Sequence, residues 1–181
     1  MKTRILFAGI ATCLLTFGSV STYAATQGTL GGNSTGSIDI TASKGEQAQI
    51  TELNDIALGN WKTGDPDLIG NDDICVYSST GAYSVTVTST NGDSVNKFVL
   101  KDGVSEINYN VSWDTDTQGV VGLTEGTVRT GRNGDATSVT CANALNGSTN
   151  ATLAISIPAA TMAAATVGSY SDTLTILINP E

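Results

Sequence analysis

The chain has three cysteines, Cys13, Cys75 and Cys141, and no histidine. Without histidine there is no Ser-His-Asp constellation, and the commonest general base is absent. Neither mature cysteine has a CxxC partner, so a redox or metal pair has no support, and a cysteine nucleophile would need both thiols unpaired with a base beside one of them. Most Asp and Glu residues sit in turns among Gly and Asn, where solvated carboxylates are expected. A carboxylate pair for glycoside cleavage is the only catalytic arrangement left open. The residues therefore predict that the protein is not an enzyme and needs no cofactor.

One segment has the spacing of a calcium loop. Asp114-Thr115-Asp116-Thr117-Gln118-Gly119, with Glu125 at the twelfth position and Val121 at the eighth, nearly fits the pattern of alternate oxygen ligands closed by a bidentate Glu. Gln118 stands where a short ligand is usual, and a strand rather than a helix precedes the loop. That excludes an EF-hand and leaves a β-flanked calcium loop against a solvated hairpin loop, with Asp114, Asp116, Gln118 and Glu125 as the candidate ligands. Asp65-Pro66-Asp67 and Asn71-Asp72-Asp73 read as acidic turns. Trp61 and Trp113 are a candidate sugar-stacking pair, but Trp113 lies on an alternating apolar face and is expected in the core.

The start of the chain explains the cysteines. Lys2 and Arg4 precede an apolar run from Ile5 to Val20, and Thr22-Tyr23-Ala24 offers a small-x-Ala cleavage site. This is a secretory signal over residues 1–24, too short for a membrane span, with no span expected after its removal. Cleavage leaves 157 of 181 residues, enough for one domain with a core, and removes Cys13. In an oxidising compartment Cys75 and Cys141 are expected to pair. Losing Lys2 and Arg4 from a chain with 8 Lys/Arg and 17 Asp/Glu moves the net charge from −9 to −11. Such a surface argues against nucleic acid and anionic membranes as partners.

The elements that position these residues alternate with period two. Ile107, Tyr109, Val111 and Trp113 share one face; so do Tyr83, Val85 and Val87; Leu153, Ile155 and Ile157; and Tyr170, Leu174, Ile176 and Ile178. Ser79-Thr80-Gly81, Asn91-Gly92-Asp93, Lys101-Asp102-Gly103, Arg132-Asn133-Gly134-Asp135 and Asn146-Gly147 read as turns. The alanine-rich 159–167 stretch is expected to form at most a short turn. The pattern predicts an all-β, immunoglobulin-like sandwich over 44–181. Ahead of it, residues 25–33 have little to bury, and Ser34–Ala42 reads as an amphipathic strand with Gly36, Ile38, Ile40 and Ala42 on one face. That strand is either the first of its own domain or an arm for another subunit's groove.

Several patches resemble a known family. Leu58-Gly59-Asn60-Trp61, Asp73-Ile74-Cys75-Val76-Tyr77 and Gly81-Ala82-Tyr83-Ser84-Val85 resemble the spore coat protein U-like domain of archaic chaperone–usher pili. Gly168-Ser169-Tyr170-Ser171-Asp172-Thr173-Leu174-Thr175-Ile176 looks like the last strand of those pilins. Ile38-Asp39-Ile40-Thr41-Ala42-Ser43 is similar to the donor segment of colonisation-factor pilins. The resemblance implies an incomplete sandwich, filled first by a periplasmic chaperone and then by the arm of a homologous subunit, with an outer-membrane usher as a further partner. Gly36, Ile38, Ile40 and Ala42 would be the inserting face, and the acceptor groove would lie between the first strand, around Gln47–Leu53, and the last, Tyr170–Ile178. It also implies passage through the periplasm to a fimbrium, the cell surface or the exterior. Two features depart from the family pattern: the position of the Cys75–Cys141 pair, and the lack of a cysteine in Gln49–Asp55. The other reading is a self-complete secreted or surface β-sandwich that serves as a binding or matrix module.

Overall fold

The structure is a computed structural model that describes residues 25–92, 97–145 and 147–181. Residues 1–24, where a signal segment is expected, and the turn residues Asp93 and Asn146 lie outside the described residues. The chain divides into two units after Lys44. In the first unit, residues 25–44 are exposed and form no strand; a single bridge joins Thr26 and Ser37, with N–H···O distances of 2.9 and 3.0 Å. The strand expected over Ser34–Ala42 is therefore not formed here. Its alternation is present in the sequence, but a strand is defined by a ladder, and this segment has only the Thr26 bridge to pair with.

The second unit, Gly45–Glu181, contains two sheets. The strands are β1 (Ala48–Thr51), β2 (Leu68–Ser78), β3 (Ala82–Ser89), β4 (Phe98–Asp102), β5 (Ser105–Thr115), β6 (Val121–Gly122), β7 (Arg129–Asn133), β8 (Ala151–Ile157) and β9 (Leu174–Pro180), with one helix, α1 (Ala159–Ala164). One sheet has the order β1-β2-β8-β5-β4 with β6 also on β5, and the other the order β7-β3-β9. All these pairings are antiparallel. The facing residues of the two sheets are those the alternation placed inward: Ile107, Tyr109, Val111 and Trp113; Tyr83, Val85 and Val87; Leu153, Ile155 and Ile157. Trp113 is fully buried, and its indole N–H donates to the Tyr83 hydroxyl at 2.9 Å with the rings edge-to-face.

Three local readings are corrected. Asn71-Asp72-Asp73 is not a turn but the middle of the long strand β2, paired with Ala154, Leu153 and Thr152. Strand pairing outweighs the turn preference of these residues, and the buried Asp72 is satisfied by the N–H and carboxamide of Asn54 at 2.9 and 3.1 Å. Arg132-Asn133 closes strand β7 rather than opening a turn. The alanine-rich stretch forms a full six-residue helix, entered from Pro158, with the Ala159 N–H donating to Asp67 at 2.8 Å.

Two ends of the domain can be defined from its bonds. Ala48 lies opposite Ser78, the Ser79 N–H donates to Gln47 O, and the Glu181 N–H donates to Ala82 O. The start of β1, the 79–81 turn and the finish of β9 therefore share one end, the Gln47 end. The Thr90 N–H donates to Thr173 O, and Lys101 and Ser171 exchange backbone bonds. The start of β9 and the β4–β5 hairpin thus share the opposite, Asp172 end. β3 turns back tightly from β2 and β9 runs against β3, so β9 runs with β2 and against β1.

Burial pushes the Tyr83 phenol up to about 12, although the Trp113 hydrogen bond and the Arg132 charge act against it. The sign follows from linkage. Below pH 10 the phenol is neutral in both states; from about 10 to about 12 only the unfolded chain releases the proton. Stability should then fall by about 1.4 kcal/mol per pH unit from this one group. Urea midpoints measured from pH 9 to 12 should show that decline on top of the one from Tyr109, whose phenol is also pushed up, and Tyr83→Phe should make it shallower by the Tyr83 share. An equally steep decline in Tyr83→Phe would reject the assignment.

Candidate functional site: an open groove beside the last strand

Among the described residues β9 has a partner strand on one edge only, β3. Register with β3, together with the Thr90–Thr173 and Ala82–Glu181 bonds, fixes which residues face which way. Thr173, Thr175, Leu177 and Asn179 bond to β3, so the N–H and C=O groups of Leu174, Ile176 and Ile178 point to the other edge. Among the described residues no strand pairs there. These same three residues turn their side chains toward the core yet remain only half-buried, whereas the inward residues of β3 and β8 are buried. A row of free backbone groups above a half-covered apolar row is what a sheet looks like where a strand is missing.

Beside that edge lies a cavity of about 330 Å³. Leu174 and Ile176 form one wall, Leu153 and Ile155 of β8 the floor, and Leu53, Ile56 and Leu58 the opposite wall. That opposite wall exists because the chain breaks away after β1. Glu52 adopts a positive φ of 64°, and residues 53–58 then cross the face of β2. Gly70 makes the crossing possible: a Cβ there would meet Ile56 and Leu58 side-chain atoms. On the β1 side, Ser79–Gln47 pairing leaves the backbone groups of Ala48 and Ile50 on the edge away from β2. The cavity is rimmed by outward-facing backbone groups on its β9 side, at Leu174 and Ile176.

Two carboxylates fix its shape. Asp72 ties the crossing segment to the sheet through Asn54. Asp172 accepts from the Tyr109 and Ser89 hydroxyls, each at 2.6 Å, and from the Asn91 and Thr173 N–H groups. Burial, followed by the adjacent Asp172, pushes the Tyr109 phenol well above the ordinary tyrosine range. The phenol therefore remains a donor to Asp172 and holds the start of β9 in place.

The other candidate residues have varied placements. Cys75 and Cys141 are joined by a disulfide with an S–S distance of 2.09 Å and Cα atoms 5.7 Å apart. Gly36, Ile38, Ile40 and Ala42 all lie in the exposed arm. Asp114 is in β5. Gln118 accepts from the Asn133 N–H and donates to Gly131 O near the Gln47 end, while Glu125 accepts from the Ser89 N–H near the Asp172 end. The four calcium-loop candidates are thus not gathered at one point. Among the described residues no group of three or more His, Cys, Asp or Glu side chains is placed to hold a metal. Trp61 is half-buried, with its indole N–H directed to Asp65 O and Pro66 O. The sequence reading did not single out Asp72, Asp172, Asn54 or Tyr109 as groove residues. The site was signalled by the apolar alternation through Leu174–Ile178 and by the resemblance, which implied a groove between Gln47–Leu53 and Tyr170–Ile178; of those ranges Leu53, Asp172, Thr173, Leu174 and Ile176 line the cavity.

No family model and no curated protein matches the sequence. Among solved structures, one described as a chaperone–tip adhesin complex vital for synergistic activation of CFA/I fimbriae biogenesis is similar at 21% identity and a TM-score of 0.53, over 74% of this chain and 41% of that chain. CfaE, the adhesive subunit of CFA/I fimbria of enterotoxigenic Escherichia coli, is similar at 20% identity and a TM-score of 0.49, over 68% of this chain and 39% of that one. This chain therefore spans about two fifths of the length of each. The first likeness, together with the topology, establishes the fold as an all-β, pilin-like sandwich.

Proposed function

We propose that the protein is a structural subunit of a bacterial surface fibre, assembled by strand addition between copies or homologues. The groove between residues 48–58 and β9 receives the N-terminal arm of another subunit. The observation that carries this reading is the unpaired edge of β9 above the half-buried Leu174, Ile176 and Ile178. An incoming strand would pair with that edge and lay every second side chain into the groove. The arm has a matching sequence: Gly36, Ile38, Ile40 and Ala42 on one face, with Ile38 and Ile40 72% and 85% exposed. Before addition, an apolar groove and a free edge invite aggregation. A chaperone that covers the edge in the periplasm, and an usher that exchanges it, fit that need.

The test is a chain lacking residues 25–43, challenged with a synthetic peptide of residues 34–43. Saturable 1:1 binding that raises the thermal midpoint supports the proposal, and an Ile38→Asp peptide should not bind. If instead the intact protein is a two-state monomer and the truncated one is unfolded, the arm completes its own domain. The protein is then a self-complete binding or matrix module.

A further inference from the structure

Four of the most exposed large apolar side chains of residues 45–181, Val104, Val167, Leu145 and Val120, stand at its two ends, while Ile69, as exposed as Val120 at 68%, lies on the outer face of β2. Val104 and Val167 are 99% and 107% exposed. They are neighbours at the Asp172 end, where the Thr166 hydroxyl donates to Ser105 Oγ at 3.0 Å and the Ser169 N–H to Asp102 at 3.1 Å. Leu145, at 81%, and Val120, at 68%, belong to the Gln47 end. Leu145 borders the cavity formed with Asp116, Asn133 and Asp135, and Val120 follows the Gln118 turn that bonds to β7.

The arm joins its domain at the Gln47 end, since Gln47 bonds to the 79–81 turn. Only Ser43-Lys44-Gly45-Glu46-Gln47 lies between the inserting face and β1, a reach of at most about 20 Å. A donor running parallel to β9 would leave its acceptor at the Gln47 end. Each domain would then meet both of its neighbours at that same end, and growth would stop. A donor running antiparallel to β9 leaves at the Asp172 end, and the chain can extend. Resting on the strand-addition reading, we infer that successive copies stack end to end, with Val104 and Val167 of one covered by Val120 and Leu145 of the next. The partner for these two patches is a second copy of this chain, and the short linker holds the two ends in contact.

The test is a cysteine pair, Val104→Cys with Val120→Cys, in the whole chain treated with a short bis-maleimide after assembly. Both positions are exposed, and peptide 34–43 binding to an arm-deleted form of the same variant checks that the groove is intact. The expected result is a covalent ladder from the double variant and no covalent dimer from either single variant. A covalent dimer from Val120→Cys alone would mean Gln47 end against Gln47 end and would overturn the inference. So would fibres that form normally while the double variant yields no ladder. Failure to assemble, with no peptide binding, would instead reject the strand-addition reading itself.

Discussion

Ile38→Asp in the arm is expected to leave a folded subunit that no longer assembles, whereas Ile176→Asp in β9 should leave one that can donate but not accept. An unpaired carboxylate carried into an apolar groove costs several kcal/mol or ionises with difficulty, enough to lower the assembly constant by roughly three orders of magnitude at 1.4 kcal/mol per tenfold. Mixing the two variants provides the decisive measurement. The arm of the Ile176→Asp chain is intact, and so is the groove of the Ile38→Asp chain, so the mixture should give a 1:1 dimer and nothing longer by size-exclusion chromatography. Circular dichroism of each variant checks that the fold survives. If Ile38→Asp unfolds the isolated chain, the arm belongs to its own sandwich. If the mixture forms long polymers, the groove is not the joint.

The second large effect concerns the disulfide. Cys75 and Cys141 are 66 residues apart in sequence, and the bridge ties the β2 strand to a segment, 134–150, with little regular structure of its own. Closing a loop of that length stabilises by roughly 3–5 kcal/mol in the chain-entropy model. Cys141→Ala with Cys75→Ala should lower the urea-extrapolated stability by that amount and loosen the segment between Asp135 and Asn150. Asn150 would be the last point to let go, because its carboxamide both accepts from the Val76 N–H and donates to Val76 O, extending the β2–β8 ladder by one step. A loss below about 1 kcal/mol would show that the segment is held by such bonds rather than by the bridge.

Where side chains alternate, the sequence was readable. The runs through Tyr83–Val87, Ile107–Trp113 and Leu153–Ile157 became strands β3, β5 and β8 with the expected inward faces. Asp72 was read as part of an acidic turn because burying an acid requires partners from elsewhere in the chain, and Asn54 supplies them from 18 residues away. The groove was legible in half. Leu174, Ile176 and Ile178 could be read as a strand, but whether its other edge is paired is a property of topology and not of local pattern. The opposite wall depends on the Glu52 bend and on Gly70 making room for Ile56 and Leu58, contacts that no periodicity encodes. The calcium-like spacing of Asp114 to Glu125 failed to gather its residues because β6 and the chain after it carry Glu125 to the other end of the domain.

Strand β1 is only four residues long, and it sits where a fibre would carry load. In a fibre built this way, tension enters a domain through the inserted strand at one end and leaves through Gln47 at the other. Both strands are then pulled along their own axes, so their hydrogen bonds resist together in shear rather than peeling one by one. The inserted strand can use the whole length of β9, but β1 has only its pairing from Ala48–Ser78 to Thr51–Cys75. Beyond it, the Asn54–Asp72 bonds act as a backstop. Under stretching, β1 would be the mechanical fuse of such a fibre: it would slide before the joint between subunits opened, so the fibre would lengthen while its subunits remained linked.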